Sequence, residues 1–320
     1  MTGRVDEETL TFEVEPHEAG EPLLSLLGER LPEATTASLR ELIDAGEVLL
    51  NGRRCGPRQA LAAGDAVELR GLDLLERVAP ERLAGLELLH AERDLLVVAK
   101  PAGVSVETER GQDDRPFRAG LLHLLRQLGR AGERPRVAHR LDKETSGALI
   151  VATTRHGLTE ITRQLESHTL EKTYLALVLG VPRDDEGVVE LPLHTSRSDE
   201  PQPATTRWRV VERFRRHALV EARPVTGRLH QVRIHLATLG HPLLVDPEHG
   251  GGQALYLSRL KGRGYRRPKD HEERPIIDRL TLHARSVRFA SPADGTPTTV
   301  EAPLPRDLEV ALRQLRRWDA

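Results

Sequence analysis

The stretch AHRLDKETSGALIVAT, residues 138–153, places a charged turn directly before an apolar run. The segment GALIVAT at its end is rich in aliphatic side chains and predicts a buried strand. Asp142 precedes this strand, and neighbouring donors favour the ionised form of its carboxylate. Those donors are Arg140, Lys143, Thr145 and Ser146. Two interpretations follow: Asp142 caps the turn, which is the commoner role of an aspartate at such a place, or it is a reacting group.

A second informative stretch is RPVTGRLHQVRIHLATLGHPLLVD, residues 223–246. Its apolar residues recur at helical spacing and predict a helix with a buried stripe. Arg233 lies next to that stripe; an arginine there usually extends to solvent, but it can also point inward to meet a carboxylate. Together with Arg228 and His230 it supplies the donors that an anionic partner requires. The predicted stripe consists of Leu229, Val232, Leu236 and Leu239.

The third stretch, EKTYLALVLG, residues 171–180, has the composition of a strand in which Tyr174 interrupts a run of aliphatic residues. Two interpretations are open for this ring. Tyr174 is either a core aromatic whose hydroxyl has a hydrogen-bond partner, or a ring that stacks on a flat ligand.

The pattern of the remaining chain predicts two domains. Beyond residue 87 strands outnumber helices and mostly follow one another without a crossover helix, which indicates an α+β domain with a mixed, largely antiparallel sheet. Residues 9–72 instead predict two helices followed by short strands joined at Asn51-Gly52, a typical hairpin turn. We therefore expect a flexible N-terminus over 1–8, a small domain over 9–72, a linker over 73–86 and a larger domain over 87–320.

Composition restricts the class of protein. The net charge is −2, so a nucleic-acid partner has to be argued from local charge. No apolar run approaches the roughly 18 residues of a membrane helix, and the acidic start of the chain is neither a secretory signal nor a transit peptide. We expect a cytoplasmic protein that does not bind a membrane. The single cysteine, Cys55, excludes an intrachain disulfide and any metal site built from paired cysteines.

The small N-terminal domain resembles the αL RNA-binding domain, first named in a small-subunit ribosomal protein. The similar segments are LIDAGEVLLNGRRC (residues 42–55) and LAAGDAVEL (residues 61–69). The resemblance implies RNA contacts through basic residues of the second helix and the following hairpin. In this chain those residues are Arg40, Arg53, Arg54 and Arg58.

Taken together and in order, the three stretches of the larger domain resemble the RluA-type pseudouridine synthase family. HRLDKETSG is similar to the signature around that family's catalytic aspartate, EKTYLALVLG to its tyrosine motif, and TGRLHQVRIHLATLGHPLLVD to its arginine motif. The resemblance spans about residues 87–310 and implies the pseudouridine synthase fold. Two segments depart from the family pattern: Val245-Asp246 with His249-Gly250, and the basic extension from Gln253 to Pro275. Further similar segments are LLVVAKPAGVSV, PATTRWRVVE, RLTLHARSVRF and EAPLPRDL.

Residue by residue, the resemblance implies that Asp142 attacks and that Arg233 is its ion-pair partner. It implies that Tyr174 stacks on the target base and assists proton removal, that Arg140 fills the gap left by a flipped nucleotide, and that Val232 packs under the base. Arg228 and His230 are expected to bind substrate. The implied reaction, uridine to pseudouridine in RNA, transfers no electron or group to a carrier, so we expect neither cofactor nor metal.

Several alternatives remain open at this point. A non-catalytic RNA-binding or ribosome-assembly protein on the same fold would need a broken catalytic set, and a hydrolase pairing Asp142 with a histidine would need a histidine or metal cluster. The histidines of HRLD, LHQVRIH and LGHP do not have the spacing of a known zinc site. The αL-like domain favours large-subunit ribosomal RNA over tRNA as substrate, and we expect a monomer.

Overall fold

The computed structural model describes residues 5–6, 9–75, 77–106, 114–195, 198–266 and 272–320. The predicted flexible N-terminus and part of the basic extension lie largely outside these residues. The chain divides into two compact units. Unit 1 comprises Met1–Leu83 and Arg115–Pro135, and unit 2 comprises Ala84–Asp114 and Arg136–Ala320. None of the helices in the described part of the chain combines the length and hydropathy that a bilayer crossing requires.

Unit 1 contains the predicted helix pair and small sheet. Thr35 caps the second helix by accepting a hydrogen bond from the Ser38 backbone N–H, and Gly46 ends it in the left-handed conformation at φ 84°. In the part of unit 1 that is described, five antiparallel strands lie in the order β1-β2-β5-β3-β4. The elements are β1 Val5–Asp6, β2 Thr9–Glu13, α1 Leu23–Arg30, α2 Thr36–Ala45, β3 Val48–Leu50, β4 Arg53–Arg54, β5 Ala66–Arg70 and α3 Arg115–Gln127.

Helix α3 belongs to unit 1, whereas the sequence placed it in the domain over residues 87–320. Arg118 of α3 donates hydrogen bonds to the carbonyl oxygens of Pro32 and Ala34 at 2.6 and 2.7 Å. Leu122 packs in a small apolar cluster with Val78. The sequence analysis predicted no helix over residues 115–127 and assigned these residues to the larger domain by their position along the chain. Even a helical pattern shows which face is buried but not which neighbour buries it.

The four arginines predicted to bind RNA all belong to unit 1, and their side chains are exposed. Arg40 lies on α2, Arg53 and Arg54 form β4, and Arg58 follows in the next turn. The Arg54 guanidinium also donates to the carbonyl oxygen of Ala45 at the end of α2. Their role as RNA contacts stays a prediction.

Unit 2 is built on a large sheet, which runs β11-β14-β15-β10-β16-β9-β7-β6 with β17 on β16 and β8 on β9. Within the described residues β9 and β16 are the parallel pair and the other neighbours are antiparallel, so the prediction of a mixed, largely antiparallel sheet is confirmed. The elements are β6 Glu87–Ala91, β7 Leu95–Lys100, β8 Arg136–Val137, β9 Ser146–Ala152, α4 Arg155–Glu166, β10 Glu171–Leu179, β11 Glu186–Glu190, β12 Leu193–Thr195, β13 Ser198–Gln202, β14 Thr205–Arg213, β15 His217–Pro224, α5 Gln231–Thr238, α6 Leu257–Lys261, β16 Leu282–Ala290, β17 Pro297–Glu301 and α7 Arg306–Trp318.

Strand β9 is the predicted GALIVAT strand, and every one of its residues is buried. Its second residue, Gly147, has φ 126°, and a Cβ atom there would lie 2.1 Å from the carbonyl oxygen of Ala284 on β16. The glycine of the opening motif is therefore required where β9 and β16 approach each other. This close contact fixes the start of β9, and with it the turn that carries Asp142.

Helix α5 confirms the predicted helix but corrects its buried face. Val232 and Leu236 are buried, while Leu229 and Leu239 are 48% and 37% exposed. Arg233 is 4% exposed and points inward. Leu229 precedes the first residue of the helix and Leu239 follows its last, so the 3.6-residue period that predicted their burial does not apply to them.

Candidate active site

Asp142 lies in the turn between β8 and β9, with about a fifth of its side chain exposed. The turn is closed by a backbone hydrogen bond from Thr145 N–H to the Asp142 carbonyl oxygen at 3.0 Å. Ser146, the first residue of β9, pairs through its hydroxyl with His283 Nδ1 on β16 at 3.0 Å. The carboxylate is thus held at the end of the most buried strand of the sheet, which limits its movement.

Lys100 supports this turn from the protein interior. It is 1% exposed, and its Nζ donates to the carbonyl oxygens of Pro101, Val104 and Lys143 at 2.8, 2.8 and 3.0 Å. Burial lowers the pKa of Lys100 from 10.5 to about 7, against the opposing charges of Glu144 and Asp142. Because the Lys143 carbonyl belongs to the residue after Asp142, the ammonium group fixes the backbone of the turn.

Arg233, on α5, contacts Asp142 and two further acids. Its Nη1 lies 3.3 Å from Asp142 Oδ2. Nε and Nη2 donate to the two carboxylate oxygens of Asp246, both at 2.8 Å, in a bidentate pair, and Nη2 also donates to Glu248 Oε2 at 2.8 Å. Asp246 is 0% exposed, so the strongest partner of Arg233 is a fully buried carboxylate.

The charges in this cluster stabilise one another. Burial by itself lowers the pKa of Arg233, but the hydrogen bonds and charge of Asp246, the charge of Asp142 and the hydrogen bond with Glu248 raise it above the ordinary value. For the Asp246 carboxyl, an acid, burial acts in the opposite direction and raises the pKa. The hydrogen bonds and charge of Arg233 outweigh that effect, so the pKa of Asp246 is lowered. Arg233 therefore remains a cation, with one side fixed by Asp246 and another directed at Asp142.

Tyr174 lies on β10, at the bulge in the pairing between β10 and β16. Its cross-strand neighbours are Ala222 on β15 and Ala284 on β16, so small residues flank the ring on both sides. Burial, with a smaller contribution from the charge of Asp142, raises the pKa of the Tyr174 hydroxyl above its ordinary value. The neutral phenol is therefore favoured near pH 7. A neutral ring is better suited to stacking on a flat ligand than to accepting a proton.

One cavity of about 600 Å³ collects all seven residues that the sequence nominated in this domain. Its size lies within the usual range for small-ligand sites. Arg140 is exposed at the cavity edge, and Arg228 donates through Nε to the Pro203 carbonyl oxygen at 3.3 Å. The seven residues are Arg140, Asp142, Tyr174, Arg228, His230, Val232 and Arg233. The structure therefore brings them together, while their roles in the reaction stay predictions.

His230 precedes α5 in the left-handed conformation at φ 52°, a region that residues other than glycine rarely adopt. Its Nε2 lies 3.9 Å from Asp142 Oδ1, and its Nδ1 lies 3.1 Å from His249 Nε2. Burial lowers the pKa of His230, and this outweighs the opposing charge of Asp142. The neutral imidazole is therefore favoured near pH 7.

Sequence reasoning missed several groups in and around the cavity. Asp246 belongs to the quoted arginine motif and, like Asp142, lies next to an apolar run. That shared position was the sequence feature that could have identified Asp246 as a site residue. Thr145 was noted only as a neighbouring donor. Among the described residues, Thr145 Oγ1 is buried without a hydrogen-bond partner. Thr145 and His139 both line the cavity.

Three comparisons with known proteins bear on this site. The sequence profile of the RNA pseudouridylate synthase family matches residues 94–238, a range that contains Asp142, Tyr174 and Arg233 but ends before Asp246. The chain is 33% identical over 319 residues to ribosomal large subunit pseudouridine synthase D of Xanthomonas campestris pv. campestris, covering 94% of this chain and 91% of that protein. It is 31% identical over 317 residues to ribosomal large subunit pseudouridine synthase C of Escherichia coli K12, covering 93% and 94%.

The chain belongs to the RluA-type pseudouridine synthase family. Among solved structures it is similar to human RNA pseudouridylate synthase domain containing 4, with a TM-score of 0.57, 27% identity, and coverage of 72% of this chain and 93% of that one. The protein is an RNA pseudouridine synthase, an isomerase, and unit 2 has the fold of that family. Membership therefore decides against the non-catalytic and hydrolase alternatives.

Proposed function

We propose that this pseudouridine synthase modifies large-subunit ribosomal RNA and that Asp142 is its reacting carboxylate. The observation that carries the proposal is the placement of Asp142 3.3 Å from Arg233 in a cavity also lined by Tyr174. The relatives from Xanthomonas campestris and Escherichia coli are both named as ribosomal large subunit enzymes, and this supports the choice of substrate.

The chemistry requires the bond between ribose C1′ and uracil N1 to break and a bond between C1′ and C5 to form. The Asp142 carboxylate either adds to C1′ and leaves when C5 bonds to C1′, or removes the C2′ proton to give a glycal and returns that proton to C2′ as C5 bonds to C1′. The C5 proton is then lost and N1 gains a proton, so the change is an isomerisation. Arg233 keeps Asp142 oriented, and its attachment to buried Asp246 means that it does not depend on Asp142 to hold its own position.

A base inside a helix or a stacked loop does not reach this cavity unless its nucleotide flips out, which costs a few kcal/mol of unstacking. Exposed Arg140, at the cavity edge, is suited to occupy the gap in the RNA. Tyr174, flanked by two alanines, offers a face for the flipped uracil, and Val232 packs beside it.

Thr145 and His139 are suited to recognise the uracil edge. Uracil presents two carbonyl acceptors and one N–H donor. His139 Nε2 accepts the Ile150 backbone N–H at 3.2 Å, so Nδ1 carries the proton of the neutral ring. Burial, with a contribution from the charge of Lys172, lowers the pKa of His139 to about 3, which keeps the ring neutral. The Thr145 hydroxyl, which is buried without a partner, and the His139 ring N–H thus complement the base.

RNA affinity is proposed to come from arginines in both units. In the extension from Gln253 to Pro275 the side chains of Arg259, Arg263 and Arg266 are exposed, whereas Lys261 lies over the Trp318 ring at 4.6 Å and has a packing role. In unit 1 the candidates are Arg40, Arg53, Arg54 and Arg58. Phosphate contacts of this kind predict that binding weakens as salt increases.

The enzyme is proposed to act as a monomer in the cytoplasm. A ribosomal RNA substrate supports the location.

Tritium release from RNA labelled at uridine C5 tests the reaction, with the wild type compared with Asp142→Asn. Mapping pseudouridine in ribosomal RNA and tRNA from a deletion strain, with and without the restored gene, tests the substrate. We expect pseudouridine sites in large-subunit ribosomal RNA that are lost when the gene is deleted. They should return when the wild-type gene is restored but not when the Asp142→Asn gene is restored. Sites restricted to tRNA would contradict the choice of RNA, and release by Asp142→Asn at the wild-type rate would contradict the role of Asp142.

A further inference from the structure

Three potential metal ligands meet beside the active-site cavity. His230 Nδ1 lies 3.1 Å from His249 Nε2 and 3.4 Å from Glu248 Oε1, and His249 Nε2 lies 3.8 Å from Glu248 Oε1. Ligand atoms about 2.1 Å from a tetrahedral Zn²⁺ are separated by about 3.4 Å. The three observed separations scatter around that value, so one ion can contact all three atoms after small side-chain movements.

We propose that His230, Glu248 and His249 form a binding site for Zn²⁺, or for a transition-metal ion with the same ligand preference, and that its occupation inhibits the enzyme. Two imidazoles and one carboxylate are a ligand set that binds zinc in proteins and leaves a fourth position open. Imidazole nitrogen favours zinc, copper and nickel over magnesium, so Mg²⁺ in an RNA assay does not compete.

The backbone on both sides of the site is already fixed. Asp246 Oδ1 accepts the backbone N–H groups of Glu248 and His249, each at 3.2 Å. His230 is fixed at the start of α5, where the neighbouring Gln231 side chain accepts the Arg228 backbone N–H at 3.0 Å. Binding an ion therefore orders side chains and little backbone, which lowers the entropic cost.

The cluster remains compatible with the contacts of the active site. Glu248 uses Oε2 for Arg233 Nη2 at 2.8 Å, and its other oxygen, Oε1, faces the two histidines. The Glu248 side chain is 57% exposed, which gives an ion a path from solvent. Metal binding thus does not require the ion pair between Arg233 and Glu248 to break.

The inhibitory step rests on the proposed role of Asp142. An ion on Nδ1 of His230 places the ring proton on Nε2, the atom that lies 3.9 Å from Asp142 Oδ1. A metal-bound histidine commonly donates its other ring N–H to a carboxylate, and a closer approach of the two side chains brings Asp142 within hydrogen-bond distance of Nε2. Asp142 is then held by the imidazole N–H and by the added positive charge, and it is less available to react with ribose.

Binding of zinc chloride to the untagged, RNA-free full chain tests the site without any assumption about catalysis. Competition with a chromophoric chelator gives the affinity. We expect one high-affinity ion per chain, an affinity weakened at least about tenfold in His249→Gln, and no effect of Mg²⁺. His90→Gln is the matched control, because His90 pairs with a single acid, Glu92, at 2.9 Å. Equal affinities in the wild type and His249→Gln would overturn the site.

Tritium release at rising zinc concentration tests the inhibition. We expect the wild type and His90→Gln to be inhibited together and to recover when a chelator is added, while His249→Gln needs at least about ten times more zinc. Each variant is compared with its own metal-free rate. A wild type that binds zinc and keeps its full rate would overturn the inhibitory step, whereas an absence of release in metal-free wild type would count against the proposed function.

Discussion

Two aspartates share the guanidinium of Arg233, but their environments differ. Asp246 is fully buried and pairs with Arg233 through two hydrogen bonds of 2.8 Å. Asp142 makes one longer contact of 3.3 Å, lines the cavity and is partly exposed. A buried, bidentate carboxylate is committed to structure, while a carboxylate with one contact and an open side can react. The comparison indicates that Asp246 positions the arginine and that Asp142 uses it.

Asp142→Asn is expected to have the largest effect and to separate the two roles. An amide neither adds to C1′ nor removes a proton, so kcat should fall at least about 10⁴-fold. RNA binding should persist, and the midpoint of denaturant unfolding should change little, because the 3.3 Å contact of Asp142 with Arg233 is longer than the two 2.8 Å bonds of Asp246. Filter binding, tritium release and urea unfolding on one preparation measure all three quantities. A loss of stability as large as that of Asp246→Asn would contradict the division of roles.

Asp246→Asn should mainly affect stability. It leaves a buried guanidinium without its bidentate partner, which costs about 3–5 kcal/mol of unfolding free energy. Activity should fall as well, because Arg233 loses the contact that fixes its position. Urea unfolding monitored by circular dichroism measures the stability. An Asp246→Asn protein as stable as the wild type would mean that Asp246 is not the structural member of the pair.

Lys100→Met tests whether the buried lysine that contacts the Asp142 turn contributes to stability and activity. Three carbonyl oxygens lose a partly buried hydrogen bond from Lys100, and of these the Lys143 carbonyl also accepts the Gly103 backbone N–H at 2.9 Å. The unfolding free energy should therefore fall by about 2–3 kcal/mol, and kcat/KM should fall because the turn is less well fixed. Lys143→Met, which changes an exposed lysine of the same turn, is the matched control for stability. Equal unfolding midpoints for these two variants would remove Lys100 from its supporting role.

The contribution of Lys100 should also depend on pH. Its pKa is about 7 in the folded protein and 10.5 ordinarily, so between these values the unfolded chain holds more protons at this position than the folded protein does. The unfolding free energy therefore rises with pH through that window. Unfolding curves at pH 7, 8 and 9 should show a steeper rise for the wild type than for Lys100→Met. Parallel pH profiles would contradict this assignment.

Thr145→Val should give the smallest effect and the most specific one. Its hydroxyl is buried without a partner, so its removal should leave stability unchanged or raise it. If the hydroxyl contacts uracil, kcat/KM should fall about tenfold. Thr281→Val is the control with the opposite expectation. The Thr281 hydroxyl donates to the Leu177 carbonyl oxygen at 2.8 Å, so the Thr281→Val protein should be less stable than the wild type. A Thr145→Val enzyme with full activity would exclude the uracil contact.

The sequence alone predicted most of the architecture, because local patterns report local structure. The helix pair and small sheet of unit 1, the strand after Asp142 and the largely antiparallel sheet of unit 2 all follow from composition and spacing over a few residues. Helix α3 could not be assigned to unit 1, since its contacts with Pro32 and Ala34 join residues more than eighty positions apart.

The candidate active site, too, was partly predictable from the sequence and partly not. The motifs identified Asp142, Tyr174 and Arg233, which line one cavity and are proposed to carry out the reaction. Only the tertiary structure showed that Arg233 pairs chiefly with Asp246, that Lys100 supports the turn, and that His230, Glu248 and His249 have ligand spacing although the order of histidines along the chain indicated no metal site. Sequence fixes which side chains are available and how each segment folds; hydrogen bonds, burial and charge depend on distances between segments, and those distances exist only after the sheet and α5 have packed.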